Sequence, residues 1–319
     1  MRILVTGGAG FIGSWYVRSV LAAEYQGTEQ ARVTVVDKLT YAGSLGNLPI
    51  GHPRLTFVHA DICLKRPLHR LVRGHDAVVH MAAETHVDRS IDDAAAFTRT
   101  NVLGTQNVLE SCRLAGVERV VCVSTDEVYG SISSGAWTEQ AALAPNSPYA
   151  ASKAAADLMA RAYYATHRVP VMVTRCCNNY GPWQYPEKMM PLFITRLLAG
   201  EQVPLYGDGR NVREWLHVSD HCRAIHAVLE KGRAGEVYNI GSGTALANLE
   251  LTRKLVRLCG ATWDQVTHVT DRKGHDVRYA LDDGKIRQEL GYRPRVDFEQ
   301  GLAELVRWQR TKGYRSDAY

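Results

Sequence analysis

A doubly wound α/β fold, with a parallel sheet and a smaller C-terminal lobe, is what this sequence predicts, and three observations carry the prediction. Short apolar runs alternate with helix-like stretches through the first half of the chain. A glycine-rich turn, Thr6-Gly7-Gly8-Ala9-Gly10-Phe11-Ile12-Gly13, joins the first run to the first helix, and an acid, Asp37, closes the second run. Nearly continuous Val, Ile and Leu in strands separated by helices implies a sheet buried on both faces.

Taken in order, strands are expected over 2–6, 33–37, 55–59, 76–80, 119–124 and 171–175, with helices near 12–24, 66–72, 99–115 and 149–167. Val237-Tyr238-Asn239-Ile240 reads as one more strand, returning after a long excursion. Pro182, Pro186, Pro191, Pro204 and Gly207-Asp208-Gly209 punctuate the second half, leaving helices at about 190–199, 219–231, 248–259, 283–290 and 299–312. The chain therefore divides into a larger domain, 1–178 and 208–242, and a smaller lobe, 179–207 and 243–319. It contains no internal repeat, low-complexity segment or long linker.

At 319 residues the chain is long for one simple core. Its 45% hydrophobic and 22% charged content is that of an ordinary globular protein. No apolar run approaches the ~20 residues of a membrane span. Met1-Arg2 leads straight into Ile3-Leu4-Val5 without a signal-peptide layout, so a cytoplasmic location and no membrane partner are expected. The net charge of +5 comes from 38 basic and 33 acidic residues without a dense Lys/Arg block, which argues against nucleic-acid binding. The seven cysteines (63, 112, 122, 176, 177, 222 and 259) form no C-x-x-C pair and read as reduced, buried thiols.

In the turn after the first strand, Gly7, Gly10 and Gly13 let the backbone approach a pyrophosphate, whose charge then faces free amides at a helix N-terminus. Asp37 at the end of the second strand suits both hydroxyls of an adenosine ribose and repels a 2′-phosphate. No arginine directly follows it, so NAD is expected rather than NADP. Asp61-Ile62 fits the edge of an adenine pocket, or else an ordinary strand-end cap. Met81-Ala82-Ala83 offers small side chains along which a dinucleotide can lie, or else a loop constrained only by packing.

Chemistry concentrates in Thr125-Asp126-Glu127, upstream of Tyr149-x-x-x-Lys153. Tyr149 and Lys153, four apart on a helix, share one face. Ionising a free phenol at pH 7 costs about 4 kcal/mol, and a nearby ammonium at an effective dielectric of ~20 supplies about that much. Tyr149 then serves as base on a sugar hydroxyl as hydride leaves the same carbon. The additional acid and base couple that transfer to removing something, most simply water. Strict strand alternation would send Asp126 away from its neighbours, so the chain must already have left the sheet at this point. His217 and His221 are also four apart, but the Glu of H-E-x-x-H is missing and no metal site is expected.

These residues lie in stretches that match a family. TGGAGFIG at 6–13, DKLTYAG at 37–43, AAETHVDRSI at 82–91, STDEVYG at 124–130 and SPYAASKA at 147–154 carry it through the first half. RCCNNYGP at 175–182, PEKMMPLF at 186–193, REWLHVSDH at 213–221 and DRKGHDVRY at 271–279 continue it. The chain resembles the extended short-chain dehydrogenases/reductases, which pair a Rossmann domain with a nucleotide-sugar-binding lobe. Within them it is similar to the dTDP-glucose 4,6-dehydratases, with STDEVYG as the discriminating motif.

The resemblance implies that Tyr149, assisted by Lys153, deprotonates the C4 hydroxyl of dTDP-glucose while Thr125 hydrogen-bonds the C4 oxygen. It makes Glu127 the base at C5 and Asp126 the acid at the C6 hydroxyl, giving a 4-keto-6-deoxy sugar with tightly bound NAD. For NAD it adds Phe11, Ile12, Lys38, Leu39, Thr40, Thr100 and Asn179 to the positions above, with Tyr149 and Lys153 contacting it too. For the substrate it implies Thr85, Asn178, Lys188, Met189, Pro204 and Tyr206, together with Arg213, Asn248, Arg272, His275 and Tyr279. Arg213 and Arg272 suit a diphosphate, although surface salt bridges are the competing reading. A homodimer is implied through helices 99–115 and 149–167, over Ala150, Ala154, Ala155, Leu158 and Ala162, with burial inside one chain as the alternative. Lys273, Leu249 and Trp15 depart from the family pattern. An epimerase or decarboxylase on another nucleotide sugar is the neighbouring reading, and a nicotinamide-sensing binding protein the distant one.

Overall fold

The computed structural model describes residues 1–312. In it β1 (Arg2–Thr6), α1 (Phe11–Leu21), β2 (Arg32–Asp37), β3 (Leu55–His59), α2 (Lys65–Val72) and β4 (Ala77–His80) lead into two short helices, α3 (Val87–Asp92) and α4 (Ala94–Phe97). There follow α5 (Thr105–Ala115), β5 (Arg119–Thr125), α6 (Pro148–His167), β6 (Val171–Cys176) and β7 (Asn178–Tyr180). Next come α7 (Met189–Leu198), β8 (Val203–Tyr206), β9 (Val212–His217), α8 (Val218–Lys231) and β10 (Val237–Ile240). The remainder is β11 (Ala245–Ala247), α9 (Asn248–Cys259), β12 (Val266–Val269), α10 (Gly284–Leu290) and α11 (Phe298–Lys312).

Among the described residues the main sheet is parallel and seven-stranded, in the order β10-β6-β5-β4-β1-β2-β3. The expected doubly wound α/β fold is therefore present. Strand alternation divides its apolar side chains between two layers. Ile3, Val5, Val33, Val35, Ala77, Val79 and Val121 face α1 and α8, meeting Tyr16, Val17, Val20, Ile225 and Val228. Leu4, Val36, Val78, Val120 and Cys122 face the other way, onto Leu68, Val72, Val108, Leu109 and Ala160 of α2, α5 and α6. Both faces are covered, which is why these strands read as unbroken apolar runs.

Strand order reverses between β1 and β4, and the loops leaving these two strands meet there. Gly7 sits at φ 71°, and a Cβ on it would lie 2.6–2.8 Å from the Met81 and Ala82 backbone. Met81 donates its amide to the Thr6 carbonyl at 3.0 Å, and Gly7 donates to Val36 at 2.9 Å. This close approach opens a crevice at the C-terminal edge of the sheet, the ordinary place for a ligand in such a fold.

A third apolar cluster gathers Met190, Phe193, Ile194 and Leu197 of α7, Leu251 and Leu255 of α9, and Leu302 and Leu305 of α11. Two small sheets edge it, β11-β9-β7 and β12-β8. Here β9, expected to belong with the larger domain, pairs with β7 and β11, whereas α8 and β10 return to the main sheet. Positions 313–319 of the expected lobe lie outside the described residues.

Sequence periodicity gave a single helix over 99–115. The structure instead has a π-helical turn, Thr98–Gly104, ahead of α5. Asn101 explains it. Its Oδ1 accepts the Glu84 amide at 2.8 Å, while its Nδ2 donates to the Glu84 carbonyl at 3.0 Å and to Ser152 Oγ at 2.8 Å. The loop after β4 is thereby tied to α6, the kind of site at which π turns occur. The first helix ends at Leu21 rather than 24, because Ala23 turns to φ 58°. Short elements (α3, α4, β8, β11 and β12) escape a periodicity reading altogether.

Gly7→Ala is expected to destabilise the fold by about 2–4 kcal/mol, through backbone overlap and a strained positive φ. Thermal unfolding checks this; an unchanged Tm would mean the two loops move apart freely.

Candidate active site

Thr125 is the last residue of β5 and caps a 3-10 turn, Asp126–Tyr129, accepting the Glu127 amide on its side chain at 3.3 Å. The chain has thus left the sheet at the position the sequence required. Gly130 closes the turn at φ 77°; a Cβ there would stand 2.3 Å from the Ala144 carbonyl oxygen. Trp137 adds an indole hydrogen bond to the Gly130 carbonyl at 3.2 Å.

Across the crevice, Ser147 caps α6 with Pro148 in its first turn, so Tyr149 and Lys153 follow one above the other. Ser90 Oγ accepts the Tyr149 amide at 3.1 Å. The Lys153 ammonium donates to the Val123 carbonyl at 2.6 Å. Burial pushes the Tyr149 phenol well up, and the Glu127 carboxylate adds to this while a Thr125 hydrogen bond opposes it. The expected offset by Lys153 is not what the protein groups alone produce, because burial also lowers Lys153 itself.

The two carboxyl groups differ in surroundings. Asp126 is 2% exposed, and its Oδ2 has no hydrogen-bond partner. Burial, reinforced by Glu127, drives its pKa well above the carboxylate range. Glu127 borders the cleft; burial raises it as well, but Arg213, Lys188 and Arg272 pull it back. A carboxyl pushed toward its acid form beside one that cations pull back toward ionisation is the division of labour an elimination needs.

A continuous cleft of about 710 Å³ brings the expected residues together. Of the positions expected to hold a dinucleotide, Gly7, Gly10, Phe11, Ile12, Gly13, Asp37, Lys38, Thr40, Asp61, Ile62, Met81, Ala82, Ala83, Thr100 and Asn179 line it. All the expected sugar-nucleotide positions, from Thr85 to Tyr279, line it as well, and so do Thr125, Glu127, Tyr149 and Lys153. Two candidates do not reach the surface of the cleft. Leu39, at φ 52°, turns aside as its amide donates to Asp37 Oδ1 at 2.8 Å. Asp126 lies just behind the wall, its Oδ1 accepting from Thr125 Oγ1 at 3.2 Å.

These residues fit a dinucleotide. No side chain caps the N-terminus of α1, and its amides open onto the Gly7 turn. Asp37 braces that turn by accepting the Ala9 amide at 2.9 Å. Asp61 accepts the Cys63 amide and pairs with Lys38 at 2.9 Å, so it caps a strand end and borders the cleft at once. Buried oxygens of Asn178, Asn179 and Asn248 have no protein partner.

In the sugar-nucleotide wall, Arg272 forks onto Asp88 at 2.5 and 2.9 Å. Arg213 lies over the Tyr279 ring at 4.2 Å and donates to the Asp276 carbonyl at 2.8 Å. Lys188 donates to the Thr85 carbonyl at 2.8 Å. Asp88, Asp276, Glu187, His86, Cys176, Cys177 and His221 also line the cleft, and sequence reasoning passed over their roles. Asp276 orients Tyr279 (2.6 Å) and Asn146 (2.6 Å). Only for the cysteines was there a signal, their place at the C-terminal end of a core strand. Six of the seven cysteines are buried and all are free. His217 pairs with Ser219 at 2.7 Å, and no group of three or more His, Cys, Asp or Glu side chains among the described residues is arranged to hold a metal.

Comparison with known proteins gives the following. The sequence model of the family described as GDP-mannose 4,6 dehydratase matches residues 4–305. The dTDP-glucose 4,6-dehydratase of Streptomyces niveus is 60% identical over 312 residues, 97% of this chain and 93% of that one. The crystal structure of DesIV, a dTDP-glucose 4,6-dehydratase from Streptomyces venezuelae with NAD and TYD bound, superposes at a TM-score of 0.98 with 60% identity and full coverage of both chains. That of the Bacillus anthracis dTDP-glucose 4,6-dehydratase in complex with NAD gives a TM-score of 0.92 at 46% identity, again over the whole of both chains.

Native Asp126 holds its proton far above the value of about 4 at which an unfolded Asp ionises. The folded state therefore binds more protons than the unfolded one above that pH, and stability falls as pH rises. Asp126→Asn removes this titration. Its Tm is expected to exceed that of the wild type near neutral pH, with the advantage vanishing as pH falls toward about 4. Melting curves of both proteins across that range decide it; no gain near neutrality would mean that native Asp126 is ionised.

Proposed function

The chain belongs to the GDP-mannose 4,6 dehydratase family, within the extended short-chain dehydrogenases/reductases, and from that membership we propose that it converts dTDP-glucose to dTDP-4-keto-6-deoxy-glucose and water. One observation carries the reading: the turn bearing the adjacent carboxyl groups Asp126 and Glu127 stands beside Tyr149 at the edge of the crevice.

When bound, NAD takes the C4 hydride and gives it back at C6. The residues handle protons. Thr125 and Tyr149 meet at the C4 oxygen, and Tyr149 takes the hydroxyl proton, with the Lys153 ammonium as the protein's own counter-charge. The resulting ketone acidifies the C5–H bond, and Glu127 removes that proton. Asp126, once its carboxyl swings from behind the wall past Thr125 into the cleft, protonates the C6 hydroxyl, which leaves as water. Glu127 then returns its proton to C5, and the proton Tyr149 took from the C4 hydroxyl replaces, by way of solvent, the one Asp126 gave up. Hydroxide is a poor leaving group, which is why an acid and an adjacent acidified carbon are both needed. The balance of oxidation is zero, so NAD stays in place.

Arg213 and Arg272 hold the diphosphate, with Asn178, Lys188, Asn248, His275 and Tyr279 around it. On this reading residues 1–178 and 208–242 hold NAD, apart from β9, which pairs with β7 and β11, and 179–207 with the described part of 243–319 covers the sugar nucleotide. Ala150 and Ala154 are buried within the chain, whereas Leu158, Leu103 and Leu114 stand about half exposed on α6 and along 98–115. Two copies pair over that face. No helix among the described residues is long and apolar enough to cross a membrane. The free, buried thiols suit the cytoplasm, where nucleotide sugars are made.

Purified protein incubated with dTDP-glucose and no added cofactor is expected to yield the alkali-dependent absorbance of a 4-keto-6-deoxy sugar, more readily than with UDP- or GDP-glucose. Absence of product with NAD supplied, or stoichiometric release of free NADH, would sink the reading. Glu127→Gln and Tyr149→Phe should each lower kcat by about 10²–10⁴-fold, measured with dTDP-glucose. Leu158→Asp is expected to shift the native mass from dimer to monomer in light scattering.

A further inference from the structure

Behind the catalytic turn lies a buried polar group that the reaction does not use. Arg175 on β6 is 1% exposed and is the largest fully buried side chain among the described residues. Its Nε donates to Asp157 Oδ2 at 2.7 Å, an ion pair closed to water on both sides. Its Nη1 donates to the Tyr129 phenol oxygen at 2.7 Å, and the guanidinium lies 4.7 Å from that ring's centroid. The Tyr129 hydroxyl donates in turn to Asn239 Oδ1 on β10, at 2.8 Å.

Each partner belongs to a different element. Asp157 stands one turn beyond Lys153 on α6. Tyr129 ends the turn that carries Asp126 and Glu127. Stability is a poor reason for such a network, since a buried ion pair is often no better than packed apolar residues. Geometry is a better one. A guanidinium is a planar fork with fixed donor directions, so two groups bound to it are fixed relative to each other.

The proposed reaction needs that registration, because its two halves ride on separate pieces of chain. Tyr149 and Lys153, on α6, address C4; Asp126 and Glu127, on the turn after β5, address C6 and C5 of the same ring. We propose that Arg175 is a positioning residue which, through Asp157 and Tyr129, holds the proton-removing turn in register with the phenol-bearing helix. The inference rests on the reading of Glu127 and Asp126 as the elimination pair. Asp157 also faces Lys153, as do Cys122 from β5 and His80 from β4, so a change at 157 would alter the ammonium as well. Tyr129→Phe is the cleaner probe: it cuts the link to the turn while leaving the Arg175–Asp157 pair intact and every reacting group unsubstituted.

The holoenzyme is mixed rapidly with dTDP-glucose. Near-ultraviolet absorbance of reduced nicotinamide follows oxidation at C4, and acid quenching recovers any 4-keto sugar that still carries its C6 hydroxyl. For Tyr129→Phe, kcat is expected to fall by about tenfold to a hundredfold, the usual result of a small misplacement, with KM changed by less than about threefold. The standing fractions of reduced nicotinamide and of the 4-keto sugar that keeps its C6 hydroxyl should rise, because oxidation now outruns proton removal at C5. Arg175→Lys, which keeps the charge and loses the fork, should give the same pattern and decides the matter if Tyr129→Phe does not fold. A lower Tm with kcat per folded site unchanged overturns the proposal, as does a fall in kcat without accumulation, or failure of both variants to fold. If the wild type itself makes no 4-keto-6-deoxy product, the reading of the reaction has failed; if it does and Tyr129→Phe matches it, only the positioning role has failed.

Discussion

The chemistry of this molecule depends on the chain leaving the sheet at Thr125. A strand that ran two residues further would turn Asp126 and Glu127 to opposite faces, one of them into the packed layer beneath. The side chain of Thr125 holds the Glu127 amide, and Gly130 takes the backbone out of the turn at positive φ. Thr125 and Glu127 thereby line the cleft at the sheet's carboxyl edge, with Asp126 directly behind them. The close approach of the Gly7 turn to Met81 and Ala82, after the neighbouring strands β1 and β4, provides the crevice into which they work.

Electrostatics then separates two carboxyl groups that are adjacent in sequence. Asp126 is dry and has one oxygen without a partner, so burial raises its affinity for a proton. Glu127 sees Arg213, Lys188 and Arg272 across the cleft. Those cations are themselves placed by acids and carbonyls of the wall: Asp88 for Arg272, the Thr85 carbonyl for Lys188 and the Asp276 carbonyl for Arg213. On the proposed roles, the cations that would hold a diphosphate also tune the carboxyl that would act as base, so nucleotide binding and proton inventory would be coupled in one set of side chains.

Much of this was legible in the residues. Unbroken Val and Ile runs give a sheet covered on both faces, and Ile3, Leu4 and Val5 are fully buried between the layers. The glycine turn, Asp37 at the end of its strand and Tyr149 one helical turn from Lys153 all carry their meaning locally. Less was legible in the second half, where β8, β11 and β12 are too short for a period to show and β9 pairs with strands far from it in sequence. The π turn at 98–104 was invisible because its cause, the Asn101 side chain bridging Glu84 and Ser152, joins three distant segments.

By itself the sequence determined the layered fold, the dinucleotide turn and the residue types of the acid, the bases and the cations. These follow from periodicity, backbone permissiveness and side-chain chemistry, all of which act within a few residues. Tertiary structure alone decided that Asp126 stands behind the cleft wall, that Lys153 reaches the Val123 carbonyl and that Arg175 joins α6 to the catalytic turn. Burial and hydrogen-bond partners belong to the packed chain as a whole, and a proton's affinity for its carboxyl or phenol depends on both.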